Sequence, residues 1–429
     1  MKNQFSLLAD RRFWPFFIVQ AGGAFNDNLM KTAVVVLIAY GLWDVDGMNP
    51  ATLVSLAAAL FILPFIVFCP LAGELADKYS KNAIIRAVKI AEIGIVLVAL
   101  PALFYQSLPL AMLALVGLGT HSAFFSPTKF AILPQHLMED ELIAANGLVG
   151  SGTYVAILAG TIAGAALAPM AGGIAIISVI LLVCAGGGLA ASFLIPPAPP
   201  PLPDLKLSFN PARNIAGALR CAFSQKPGVA AAMMGVAWFY FVASAFHSQF
   251  PNFTGQVLKV DTAVLTLFMI VFSLGIGVGG MLNNRLLGGR VEAWFVPFAI
   301  LGVGVFSLDL CLASMGFEHS GEMMMGLEAF IASPAGLRIL LDLLGLSLCG
   351  GLYVIPLRAI VQHRARAEEK ARVVAAGSMI DSVMMLLSSV LAMVMFGFGF
   401  TLLHLFSLIG LACLFVSVYF RMQRSLKPL

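Results

Sequence analysis

GELADK, Gly73 to Lys78, and GMLNNR, Gly280 to Arg285, are one short pattern written twice. Each copy opens on Gly, carries Leu at its third position and closes on a cation. The position before that cation is Asp77 in the first copy and Asn284 in the second. A second pair runs in the same order: Pro127-Thr-Lys129, with Gln135-His136 and Ala144-Ala145 downstream, matches Pro356-Leu-Arg358, with Gln362-His363 and Ala375-Ala376. Both pairs keep their place among the long apolar stretches of the chain. This predicts two parallel repeats, the second laid out like the first.

The repeated units are membrane spans. The chain has 429 residues, of which 60% are hydrophobic and 11% charged. A helix needs roughly 20 apolar residues to cross the hydrocarbon core, and twelve such stretches are present. They fall at about 13–41, 51–76, 82–105, 108–134, 143–169, 172–195, 228–254, 262–287, 292–316, 336–362, 372–398 and 401–421, with ends uncertain by several residues. The fold expected is an all-α membrane protein of twelve transmembrane helices in two parallel six-helix halves. The halves are residues 1–195 and 227–429, joined by a cytoplasmic linker at 196–226. The linker opens with Pro196-Pro197-Ala-Pro199-Pro200-Pro201-Leu-Pro203, too proline-dense for helix. The mixed apolar and basic run from Leu207 to Ser224 then reads as either an interfacial helix or a plain solvated connector.

Cations alternate between loops. Lys2, Arg11 and Arg12 precede the first span, Lys78 and Lys81 follow the second, and Lys206, Arg213, Arg220 and Lys226 occupy the middle. Arg285, Arg290, Arg364, Arg366, Lys370, Arg372, Arg421, Arg424 and Lys427 continue the series, whereas the opposite loops hold Asp44, Asp46, Lys259, Asp261, Glu318 and Glu322. Both termini are therefore expected in the cytoplasm. The loop after span four departs from this pattern with Glu139, Asp140 and Glu141. The net charge of +4 follows from the loop bias and gives no reason to invoke nucleic acid. Six scattered cysteines without a CxxC pair read as packing residues, so no metal or cofactor is expected.

Polar groups inside the spans mark the candidate site. Asn26-Asp27-Asn28 and Lys31 interrupt span one, and an Asp near the bilayer centre costs on the order of 3 kcal/mol on insertion scales. Asp27 lies roughly 22 Å into its span at 1.5 Å per residue. It is expected to meet either a cationic substrate group or Lys31, four residues on along the same helix face. Lys129 and Arg358 occupy matching places in spans four and ten, where either a phosphate or the membrane interface suits them. Asp381 in span eleven is expected either to pair with Arg358 or to titrate in proton coupling. His121, His247, Gln249 and Asp342 complete the expected cavity lining. Lys89 and Glu92, just after the loop motif, are expected at the cytoplasmic latch. Glycines in spans five and eight, Gly147 and Gly280 among them, allow close backbone approach there, either as a seam that opens sideways or as static packing.

The six-plus-six layout with GELADKYSK after span two resembles the major facilitator superfamily. In that resemblance Asp77, Lys78 and Lys81 form a cytoplasmic gate latch rather than a substrate site, weaker in the second half where Asn284 replaces Asp. A narrower likeness rests on GAFNDN (Gly23 to Asn28), SPTKFAILPQH (Ser126 to His136) with AAN (Ala144 to Asn146), and SQFP (Ser248 to Pro251). Together these resemble the bacterial lysophospholipid transporter (LplT) family and the transporter halves of acyltransferase fusions. Gly377-Ser378 depart from that likeness, standing where relatives have Asn.

The resemblance implies import of lysophosphatidylethanolamine across the bacterial inner membrane for reacylation, by a monomer without cofactor, with a cytoplasmic acyltransferase as a suggested partner. Asp27, Asn28, Asn26, Lys129, Arg358, Gln249 and His121 would then bind substrate. Lys31, Asp77, Lys78, Lys81, Glu92 and Asp381 would gate or pair charges. Two rivals stay open: a proton-coupled carrier of another amphipathic molecule, and a membrane scaffold for an acyltransferase. An enzyme is disfavoured, because HxxxxD, GxSxG, Walker and HExxH patterns are all absent.

Overall fold

A computed structural model describes residues 4–39, 42–43, 50–226, 228–288, 290–317 and 324–422. The acidic loop residues Asp44, Asp46, Glu318 and Glu322, the basic Lys2, Arg424 and Lys427, and the expected end of span one at 40–41 lie outside the described residues. The twelve long helices are Trp14–Ala39, Pro50–Lys78, Lys81–Phe104, Leu108–Ala131, Glu139–Leu167, Gly173–Ser192, Val229–Asn252, Thr262–Leu287, Val296–Met315, Pro334–Arg364, Lys370–Gly397 and Leu402–Met422. They are called spans one to twelve below. Eleven are long and apolar enough to cross a membrane, and span one differs from these through its polar run.

Span five begins one turn earlier than the hydropathy suggests, and this accounts for the acidic loop. Glu139, Asp140 and Glu141 are its first turn, where carboxylates favour the positive end of the helix dipole. Glu141 accepts the backbone N–H of Met138 at 3.0 Å and pairs with Arg12 at 3.1 Å. Hydrogen bonds from Arg12 to Asp10 and then Glu141 raise the guanidinium pKa above its ordinary value. Spans six and seven start instead from Gly172 (φ 75°) and Gly228 (φ 93°), left-handed positions that glycine occupies without strain.

Helix pairing repeats between the halves. Span one packs on five, two on four, three on four and three on six; seven packs on eleven, eight on ten, nine on ten and nine on twelve. Across the halves, span five meets eight and ten, and span eleven meets two and four.

The bonds that cross between halves gather at the end that carries the termini and the linker. Asn146 and Gln362 exchange amide hydrogen bonds of 2.7 and 3.0 Å between spans five and ten. Ser151 donates to the Gly277 carbonyl at 2.7 Å, Ser126 and Ser378 share a bond of 2.8 Å, and His363 lies 3.1 Å from Glu139. Spans five and eight touch backbone to backbone: a Cβ on Gly147 would stand 2.8 Å from the Gly280 oxygen. The halves are thus sealed at the terminus end.

Gly147→Leu should drive spans five and eight apart, costing the sealed arrangement about 1–3 kcal/mol as an overpacked contact. Spin labels at the exposed Asp140 and Arg285 should report a longer distance in the variant. Matching distance distributions would show that the backbone contact does not hold this seam.

Candidate functional site

Consecutive helix residues point about 100° apart, so the polar run of span one divides among three faces. Asn26, fully buried, turns into the first half and donates to Glu92 Oε1 at 3.1 Å and the Leu181 carbonyl at 3.3 Å. Asp27 faces span four and accepts a hydrogen bond from Ser122 Oγ. Asn28 bonds the Ala24 carbonyl at 2.8 Å and receives the Lys31 ammonium at 2.9 Å. Lys31 also stands 5.2 Å from the Phe61 ring centroid. Among the described residues Asp27 and Lys31 form no ion pair, since the i,i+3 amide of Asn28 takes the ammonium first. Asp27 is 5% exposed, and among the described residues its Oδ1 has no hydrogen-bond partner.

Glu92 is not at the latch, contrary to the sequence expectation. It lies about three turns into span three, far enough to carry it away from the loop motif. There it pairs with Lys89 at 2.5 Å and His121 Nε2 at 3.4 Å. Lys89 and Glu92 are buried, and the absence of side chains at Gly23 and Gly188 makes room for the Lys89 chain. His121 belongs to this internal cluster. Its Nδ1 lies 3.5 Å from Ser122 Oγ, the same hydroxyl that donates to Asp27.

Lys129 and Arg358 converge from opposite halves on one ring. Their cationic groups lie 5.3 and 4.1 Å from the Phe130 centroid. Lys129 donates to Thr153 Oγ1 at 3.0 Å and forms no ion pair among the described residues. Arg358 bonds the Tyr240 hydroxyl at 3.0 Å and approaches Asp381 Oδ2 at 3.5 Å. A small pocket lies beside it, bordered by Phe130, Met233, Gln362, Gly377, Ser378 and Asp381. Gln249 is not brought to this group. It sits in the last turn of span seven at the opposite end of the molecule, where it accepts from Asn252 at 2.8 Å.

Of the residues expected at the latch, Asp77 bonds the second half, whereas Lys78 and Lys81 bond the linker. Asp77 Oδ2 lies 3.0 Å from Arg372 Nε, and its Oδ1 accepts the backbone N–H of Ala371 at 3.2 Å, in the first turn of span eleven. Lys78 donates instead to the Leu205 carbonyl at 2.8 Å, and Lys81 is buried near Asp77 with its backbone N–H on Ala198. Asn284 makes no side-chain bond among the described residues. The neighbouring Asn283 is the buried member, donating to carbonyls of spans eight and ten.

Ser122, Thr153, Phe130 and Tyr240 escaped the sequence reading because hydroxyls and aromatic rings are common in spans. Only their neighbours identify them. Asn146 and Gln362 carried a signal, Gln362 inside the repeated motif and Asn146 directly after it, in the AAN of the family likeness.

The sequence profile of the Major Facilitator Superfamily matches residues 16–389. The lysophospholipid transporter LplT of Cronobacter sakazakii is 25% identical over 84% of this chain and 82% of its own length. That of Yersinia enterocolitica is 26% identical over 84% and 80%. Among solved structures, the human organic anion transporter MFSD10 superposes with a TM-score of 0.76 at 14% identity, covering 95% of this chain and 98% of that one. A bacterial homologue of the iron transporter ferroportin, in its outward-facing state, gives 0.65 at 12% identity over 95% and 99%. At these identities the structures speak for the fold alone.

Glu92→Gln should leave Lys89 as a buried charge without its carboxylate, a loss of about 3–5 kcal/mol. Thermal unfolding in detergent should fall well below wild type for this variant and stay near wild type for Asp27→Asn. An unchanged midpoint for Glu92→Gln would mean that the Lys89–Glu92 pair does not support the first half.

Proposed function

The chain belongs to the Major Facilitator Superfamily and is a multi-pass membrane transporter rather than an enzyme; from that premise we propose that it carries lysophospholipids, chiefly lysophosphatidylethanolamine, across a bacterial inner membrane. The observation that carries this reading is a pair of opposite, unneutralised groups on adjoining spans. Among the described residues Asp27 holds a buried carboxyl oxygen without a hydrogen-bond partner, and Lys129 has a hydroxyl and an aromatic ring beside it but no carboxylate in an ion pair. A zwitterionic head group offers the complement of both.

The geometry suits one head group. Asp27 is held at the level of Ser122, and Lys129 lies seven residues further along span four, on the same face and roughly 10 Å along the axis. Side chains on a helix lean toward its N-terminus, so the Lys129 ammonium reaches back toward Ser122 and shortens that separation. In this reading the ammonium of the lipid meets Asp27, while its phosphate meets Lys129 and then Arg358. A guanidinium forks onto a phosphate, whereas the Lys acts as a point charge. One acyl chain needs only apolar walls, and the spans supply them.

With the termini in the cytoplasm, as the cation bias of the loops suggests, the sealed end is the cytoplasmic one. Transport then proceeds by alternating access. The Asp77–Arg372 latch and the Asn146–Gln362 pair must open to release the lipid into the cytoplasmic leaflet, where an acyltransferase restores its second chain.

Purified protein in liposomes should take up a fluorescent lysophosphatidylethanolamine, read as label protected from external quencher. Asp27→Asn should lower the rate by about tenfold or more, as expected for losing a hydrogen bond to a charged group. Lys129→Gln should weaken uptake of every phosphate-bearing lysolipid alike. Wild-type rates in Asp27→Asn, or no uptake by the wild-type protein, would overturn the assignment.

A further inference from the structure

The linker is fastened to both halves across the sealed seam. Its proline-rich part runs along the first half: Ala198 accepts from the Lys81 backbone, Leu202 donates to the Asp77 carbonyl at 2.9 Å, and Ser208 donates to Glu74 at 3.2 Å. Asn210 then caps a helix, Pro211–Phe223, by accepting the Arg213 N–H at 3.2 Å. At its far end Gln225 donates to Glu369 at 2.7 Å and accepts the Arg366 N–H at 2.9 Å, both in the second half. Glu369 in turn holds Arg372 at 3.3 Å, the residue that Asp77 grips.

The apolar side of this helix is already covered by protein. Ile215 and Leu219 pack with Cys69, Ala123 and Met379 of spans two, four and eleven. What remains outward is basic and aromatic. Arg213 and Arg220 are exposed with no acidic partner among the described residues, and the exposed Lys206 and Lys226 flank them. Phe209 and Phe223, 78% and 55% exposed, stand at the two ends of the helix. The helix lies level with the end of span two and the start of span eleven, where the polar and apolar layers of a bilayer meet. Two large bare rings beside unpaired cations are poorly placed for water. They match the headgroup layer, where aromatic rings insert and nearby cations are drawn to an anionic surface.

We propose that the outer face of helix Pro211–Phe223, with Phe209 and the flanking lysines, docks on anionic phospholipid headgroups of the adjoining leaflet. The helix must loosen from Glu74 or Glu369 for the halves to part at this end. Bound headgroups therefore hold the latch shut.

Native mass spectrometry of the full-length protein, titrated with phosphatidylglycerol or phosphatidylcholine, tests this. Wild type should retain phosphatidylglycerol preferentially. R213Q/R220Q should lose about tenfold in apparent affinity for it, with phosphatidylcholine binding unchanged, and R213K/R220K should keep it because the contact is one of charge. In liposomes, adding phosphatidylglycerol should shorten the distance between labels at Asp140 and Arg285 in wild type and leave it unmoved in R213Q/R220Q. No preference for phosphatidylglycerol, equal affinity in wild type and R213Q/R220Q, or an equal loss in both double variants would overturn the proposal.

Discussion

One carboxylate joins the two halves at the point where they must later separate. Asp77, at the end of span two, bonds the Arg372 side chain with one oxygen and a backbone N–H in the first turn of span eleven with the other. That N–H is among the donors a helix start cannot satisfy internally, and a negative charge there also meets the positive end of the dipole. Both contacts offset the desolvation of a fully buried carboxylate. They nevertheless depend on two helices lying in one arrangement, which makes them a suitable latch. The linker reinforces it through the Asp77 carbonyl and through Glu369 beside Arg372.

Around this latch the two seams close by different means, although the repeat begins with the same motifs. Between spans five and eight the backbones approach through Gly147 and Gly280, and the Asn146–Gln362 amides lock the neighbouring contact of five with ten. The matching pair would join Gln135 to the residue after Ala375-Ala376. That residue is Gly377, so Gln135 lies 3.4 Å from the Pro199 carbonyl of the linker instead. The missing side chain at Gly377 also leaves open the pocket beside Arg358 and Asp381. A lost symmetry in sequence thus becomes a space in the second half.

Charge inside the bundle is divided in the same uneven way. In the first half Lys89, Asn26 and His121 all converge on Glu92 in an internal cluster, although Asn26 Oδ1 has no hydrogen-bond partner among the described residues. Asp27 is joined to it by a hydrogen bond from the Ser122 hydroxyl, and its Oδ1 has no hydrogen-bond partner among the described residues. In the second half Arg358 has Asp381 and Tyr240 but also leans over a ring of the first half. Groups that are satisfied within one half support its packing, whereas Asp27 and Lys129 retain unused capacity at the interface.

The sequence by itself determined the twelve spans, their order and the repeat. Each rests on length and apolar content, which do not depend on what a helix packs against. It also singled out Asp27, Lys129 and Arg358, because a charge inside an apolar run is visible without a partner, and Asp77 through its repeated loop motif. Partners were decided only by the fold. Glu92 looked like a latch residue by its nearness in sequence to Lys78, yet three helical turns carry it into the centre of the first half. Lys31 had the right spacing for Asp27 and took Asn28. Gln249 shared a cavity-lining span with nothing at its own depth to join. In each case spacing along one helix fixes a face and a height, but the neighbour on that face comes from another helix far away in sequence.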